Sequence, residues 1–192
     1  MSKETLNNTL QKKTTHLIKK NLKSLVIVST LLILTLFSYI FYTDLKKKNE
    51  IKISEQYIQA TIQFKEKKDI AKELLENIIN KNHKFYSPLA LYFIIDNRLE
   101  KDSLKIINFF DKILSISSMN QENLNLIKIK KAIFLFSFGE EKLIIKTLNP
   151  IINSESVWRN VAIKLISDYF LSKNQKTKAE EYMQLLNNKI KK

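Results

Sequence analysis

FYSPLALYFIIDN, residues 85–97, and VWRNVAIKLISDY, residues 157–169, read as one helix written twice, 72 residues apart. Ala90 falls on Ala162 and Asp96 on Asp168, and an aromatic residue opens each stretch, Tyr86 in one and Trp158 in the other. In both, apolar residues recur at the three-and-four spacing of a helix face. A chain that repeats a helix at a fixed interval is filling equivalent slots in a stack, so the interval itself carries the fold.

Working outward, apolar residues keep helical spacing from residue 51 almost to the end, with breaks at short intervals. A helix over about 51–65 turns through KEKKD into DIAKELLENIIN, where Ile70, Leu74, Leu75 and Ile78 form one stripe. NKNHKF breaks the pattern; Ser87 then reads as a cap and Pro88 as an early helical residue, where its missing N–H is harmless. EKDS separates this helix from LKIINFFDKILSI, with Leu104, Ile107, Phe110, Ile113 and Leu114 as its apolar positions. After SSMNQEN comes LNLIKIKKAIFLFSF, which Gly139 is expected to stop as a left-handed cap. EEKLIIKTLN follows and is expected to end before Pro150, because the residue before proline avoids the helix. NSES caps the helix of Trp158, which runs to about Ser172; KNQ turns it, and KTKAEEYMQLLNNKI closes the chain.

These are eight helices in four pairs. The first helices start near residues 51, 87, 122 and 156, intervals of 36, 35 and 34. That period predicts an all-α fold: a tetratricopeptide-like solenoid of about four helical hairpins over 51–192. Ile166, Phe170, Ala179, Met183 and Leu186 of the last pair take the core spacing of such repeats, and Asn174 stands at the usual turn glycine. Ala132, Leu135, Gly139, Ile144 and Leu148 fall similarly in the third pair; Ala71 and Leu75 do so in the first, and the second has Ile107 where a small residue is expected.

Composition narrows the function. One glycine and two prolines in 192 residues fit helices and leave no glycine-rich loop for a nucleotide phosphate. No cysteine is present, so thiolate zinc sites and cysteine nucleophiles are excluded, and His16 and His83 have no ligand-like partners nearby in sequence. The net charge of +14 suits an anionic partner. Against nucleic acid stands the near-absence of arginine, whose planar fork reads bases and phosphates: Arg98 and Arg159 are the only two. The adjacent carboxylates Glu140 and Glu141, and Glu180 and Glu181, sit at a helix start and on an exposed helix half, not in catalytic geometry. We therefore expect no enzyme, no cofactor, no metal and no small-molecule substrate.

LVIVSTLLILTLFSYIFY, residues 25–42, contains no charge, and with Ser24 and Thr43 the uncharged run reaches twenty residues. As a helix it would be about 30 Å long, the thickness of a bilayer's hydrocarbon core. The expected organisation is a basic cytoplasmic tail over 1–23, a transmembrane helix over 24–43, a linker over 44–50 and the repeat domain over 51–192. The run is too long for a signal peptide, and Phe41, Tyr42 and Thr43 offer no small-residue cleavage site. Five lysines flank it on the N-terminal side (Lys12, Lys13, Lys19, Lys20, Lys23) and four on the other (Lys46, Lys47, Lys48, Lys52), so charge barely sets the orientation. The small and polar Ser29, Thr30, Thr35 and Ser38 would let another helix approach in lipid.

FYSPLAL, LNPIIN with the following SESVW, and ISDYFLSKNQKTKAEEYMQLL give the chain a further character. With the basic tail and single anchor, it resembles the ancillary SecYEG translocon subunit family, the YfgM-like proteins, in alphaproteobacterial form. The resemblance implies a bacterial inner-membrane protein, N-terminus cytoplasmic and helical domain periplasmic, that links the translocon to periplasmic chaperones. Its partners would be translocon subunits, chaperones or secreted clients. The family has no catalytic motif, so no functional residue is carried over. Two alternatives remain open: an envelope-assembly or cell-division scaffold acting through another complex, and a cytoplasm-facing adaptor.

In such a stack the first helix of each pair lines the face that receives a partner's peptide. Polar and aromatic residues on first helices are thus the partner-binding candidates: Tyr92, Asp96, Arg98, Lys128, Lys131, Lys164 and Asp168. For Asp96 and Asp168 the competing reading is a local ion pair or helix-end hydrogen bond. Tyr86 and Trp158 are read as packing between repeats.

Overall fold

A computed structural model describes residues 22–138 and 140–187, for Leu25 the backbone only. The expected tail before Leu22, with His16, and the expected stop at Gly139 lie outside the described residues. The chain is all-helical there: α1 Leu22–Gln63, α2 Lys68–Asn80, α3 Tyr86–Asp96, α4 Ser103–Leu114, α5 Gln121–Phe136, α6 Glu141–Ile152, α7 Arg159–Ser172 and α8 Lys176–Gln184. Contacts divide it into two compact units, residues 1–52 and 53–192.

In the first unit α1 is solvent-exposed along its described length and includes the uncharged run, making it long and apolar enough to cross a membrane. Ser29 and Thr30 donate their hydroxyls to the Val26 carbonyl and Thr35 to that of Leu32, so these polar groups need no water. The stretch 44–50, expected as a linker, is helical and continuous with the apolar run. No glycine or proline interrupts it, and Asp44 holds Lys48 one turn on at 2.8 Å.

In the second unit each helix from α2 to α8 packs on the next, and α2 also meets α4, and α5 meets α7, across the helix between them. The end of α1 joins through aromatic contacts: Tyr57 with Tyr86 and Phe93, and Phe64 with Phe93. The helices are of two kinds. In α2, α4 and α6 apolar residues fall on one face. In α3, α5 and α7 they are spread around the helix. Consequently α5 serves two clusters: Ile127 belongs to one with α1–α4, while Ile129, Ala132 and Leu135 belong to another with α6–α8.

The 72-residue echo holds in the packing. Ala90, Leu91 and Ile94 of α3 are fully buried, as are their counterparts Ala162, Ile163 and Ile166 of α7, whereas Asp96 and Asp168 are both exposed. Small alanines at matching slots let a neighbouring helix approach closely. Ile166, Phe170 and Ala179 are buried as the spacing predicts, but Met183 is 41% exposed. Tyr182 instead covers Phe170, its ring stacked at 5.5 Å.

Helix ends show where local reading falls short. Asp102 caps α4 by accepting the N–H groups of Leu104 and Lys105, and Asn120 caps α5 through Asn123. Asn174 adopts φ 58, the left-handed turn expected of it; Arg98 and Asn82 do the same at φ 52. Beyond α3 and α7 the backbone closes identically, Leu99 N–H donating to Ile94 O and Gln175 N–H to Phe170 O, both 2.9 Å. Ser87, expected as a cap, is instead the second residue of α3 and buried. Its hydroxyl accepts the His83 N–H at 2.8 Å and donates to the Ile78 carbonyl at 2.9 Å, tying the turn before α3 to the end of α2. The acceptor at the start of α3 is His83 Nδ1, which takes the N–H groups of Phe85 and Tyr86. Pro150 lies inside α6, which was expected to end before it. A proline this near a C-terminus costs about 3 kcal/mol, and burying Ile151 and Ile152 behind it offsets that at about 1.5–3 kcal/mol each.

Candidate partner-binding groove

Between α3 and α5, floored by α4, lies a groove of about 380 Å³ lined by Tyr92, Ile95, Asp96, Phe110, Lys130, Ile133, Phe134 and Ser137. Two stripes make its walls. Tyr92 and Asp96 are one turn apart on α3, while Lys130, Ile133, Phe134 and Ser137 follow the i, i+3, i+4, i+7 course on α5. Phe110 of α4 closes the bottom, 6.0 Å from the Phe134 ring, and Phe138 extends the aromatic row at 5.2 Å from Phe134. The lining is apolar at its base and charged at its lip.

Lys130 Nζ stands 5.4 Å from the centre of the Tyr92 ring, a cation–π contact that holds both side chains against the groove wall. Burial pushes the Tyr92 phenol up to about 12, so it is a neutral hydrogen-bonding group across the physiological range. Asp96 is exposed and makes no hydrogen bond or ion pair among the described residues. Ile133 is 48% exposed although it borders the aromatic row. The arrangement can receive an apolar side chain at its base and a polar or cationic group at its lip.

Of the sequence-predicted candidates, the groove brings Tyr92 and Asp96 together. Arg98 is exposed, two residues beyond, in the left-handed turn after α3. Lys128 is half-buried on α5 and Lys164 and Asp168 are exposed on α7; none of the three lines the groove. Lys131, read as a partner-binding candidate, is only 8% exposed, and its ammonium is bound to the Asp111 carboxylate of α4 and not presented to a partner. The lining residues that sequence reasoning missed are Ile95 and Phe110 and, on α5, Lys130, Ile133, Phe134 and Ser137. The helical spacing of the last four was visible, but so was that of several other stripes on α5.

Other polar clusters tie helices together. Glu100 accepts the backbone N–H groups of Lys101 and Asp102 at 2.8 and 3.0 Å and pairs with Lys72 at 2.9 Å and Lys105 at 3.2 Å. The Asp102 N–H first, then Lys72, lowers the Glu100 carboxyl to about 2. Ser156 links α5 to the start of α7 by donating to Glu122 at 2.7 Å while accepting from Asn125 at 3.0 Å and from the Trp158 N–H at 3.1 Å. Arg159 donates Nε to the Ile152 carbonyl and Nη2 to that of Leu185, at 2.9 and 2.8 Å. Its guanidinium thereby serves the C-terminal ends of α6 and α8 together, where carbonyls lack helical partners. Among the described residues no three metal-ligating side chains gather. Compared with protein-family models, curated proteins and solved structures, the chain finds no match.

Proposed function

We propose that the chain is a single-pass membrane protein presenting a tetratricopeptide-like stack of four helical hairpins as a scaffold for other proteins. Its membrane-spanning part would be residues 24–43 of α1, which are uncharged and, over 26–43, exposed. Sequential packing from α2 to α8, buried alanines at matching slots and a repeat interval near 35 residues support the stack. The observation that carries the binding role is the groove between two first helices, apolar at the base with an unpaired carboxylate at the lip. Following the resemblance, the partners would be translocon subunits and periplasmic chaperones of a bacterial inner membrane, with the C-terminal domain on the periplasmic side.

A reporter fused after Lys192, active only outside the cytoplasm, tests the orientation; an inactive fusion of normal abundance refutes the periplasmic placement. A photocrosslinking residue at Ile133, with natural expression and mild detergent, tests the partner. Capture of a translocon subunit supports the reading. Capture of a different envelope complex, from the same position, overturns the translocon role and leaves the scaffold.

A further inference from the structure

We infer that the lysine collar directly after the apolar run of α1 is a binding site for anionic phospholipid headgroups; this rests on the membrane-spanning reading above. Residues 1–52 contain ten lysines and three acidic residues, while residues 53–192 contain 23 basic and 16 acidic residues. Each part therefore holds +7 of the net +14, although the first is little more than a quarter of the chain. A preference for lysine on the cytoplasmic side accounts for one flank of a span; it does not account for lysines on both. The second flank needs a cause of its own.

Helix geometry supplies one. Because 44–50 is helical, Lys46, Lys47 and Lys48 sit three to five residues past Thr43, a rise of about 5–8 Å. A headgroup layer is about 5–7 Å deep on each side of the hydrocarbon. Three consecutive helical residues fan over about 200° of the surface, so the ammonium groups surround the helix at phosphate depth instead of crowding one side. All three are exposed. Lys46 and Lys47 make no ion pair or hydrogen bond among the described residues, while Lys48 is held by Asp44. Tyr39 and Tyr42, also exposed, stand just inside the collar where interfacial aromatics anchor a span. Zwitterionic headgroups bring their own ammonium and cannot neutralise the collar; phosphatidylglycerol, with one net negative charge, can.

The test uses the full chain reconstituted into nanodiscs of phosphatidylcholine with a minority of phosphatidylglycerol, reading lipid selectivity by spin-labelled forms of each. Enrichment of phosphatidylglycerol is expected at low salt, up to about fivefold per free lysine. It should fall clearly in the combined Lys46→Gln, Lys47→Gln, Lys48→Gln variant, leaving only the share of the lysines before the apolar run and of Lys52, persist when the same lysines become arginine, and rise in Asp44→Asn. Unchanged selectivity in the glutamine variant overturns the inference, as does loss of enrichment to inorganic phosphate at matched ionic strength, which would mark a site for the free anion. Insertion without any lipid preference refutes the collar alone. Failure to insert into vesicles of any composition refutes the membrane-spanning reading with it.

Discussion

Replacing Ser87 with alanine should destabilise the helical unit far more than an ordinary surface serine would. The Ser87 hydroxyl joins two backbone groups across the turn before α3: the His83 N–H at 2.8 Å and the Ile78 carbonyl at 2.9 Å. Two neutral hydrogen bonds contribute about 1 kcal/mol each, while the Ile78 carbonyl keeps a second donor in the Lys81 N–H at 3.2 Å. Alanine returns about 0.5 kcal/mol through its higher helix propensity. The net expectation is a loss of about 1.5 kcal/mol, a Tm drop of roughly 4–6 °C for a unit of this size. Thermal unfolding of the full chain in mild detergent, followed by far-ultraviolet circular dichroism, reads it directly. Ser115→Ala is the control, because the Ser115 hydroxyl only repeats an exposed bond to the Lys112 carbonyl, and it should shift Tm little. If the two variants unfold together, the bridging role assigned to Ser87 is wrong.

Arg159→Lys should destabilise nearly as much as Arg159→Ala, since one ammonium cannot reach the Ile152 and Leu185 carbonyls with the geometry of a fork; rescue by lysine in a melting experiment would contradict this. Arg98→Gly should raise stability by about 0.5–1 kcal/mol by relieving a left-handed turn, measurable as a higher Tm, and a fall would show that the Arg98 side chain has a structural partner. The depressed Glu100 carboxyl stabilises the fold above its ordinary value of 4.5, and that contribution should drain away as pH drops through about 2. Solvent screening holds it to about 1–2 kcal/mol, so Glu100→Gln should flatten the acid limb of stability by that amount. Ile133→Glu should abolish partner capture without lowering Tm, because Ile133 is 48% exposed; capture at the original level would remove the groove from consideration.

The apolar stripe of DIAKELLENIIN could be read only in part: Leu75 and Ile78 are buried, but Ile70 is 41% exposed and the buried face of α2 runs through Ala71 and Ile79 instead. LNLIKIKKAIFLFSF could not be phased that way. With Ile127 buried on one side of α5 and Ile129 and Ala132 on another, almost any rotation of the helix satisfies the apolar pattern. Lys131 therefore looked as exposed as Lys130, though one is buried against Asp111 and the other lies over Tyr92 at the groove. Tyr92 and Asp96 border the groove while Lys164 and Asp168, at the matching slots of α7, do not, so the shared slot alone does not mark the face. Ser87 and Pro150 misled for one reason. Both are read by their nearest neighbours in sequence, and both answer to something else: the end of α2 for Ser87, the buried Ile151 and Ile152 for Pro150.

Helix content, the uncharged run and the repeat interval were already determined by the sequence, since an α-helix closes its hydrogen bonds within four residues and its apolar period is local. Which lysine is buried, which serine bridges two helices and which residues border the groove were decided only in the tertiary structure. Those depend on contacts with other helices, nine residues away for Ser87 and Ile78 and twenty for Lys131 and Asp111, and nothing in the local pattern encodes the neighbour a helix face will meet.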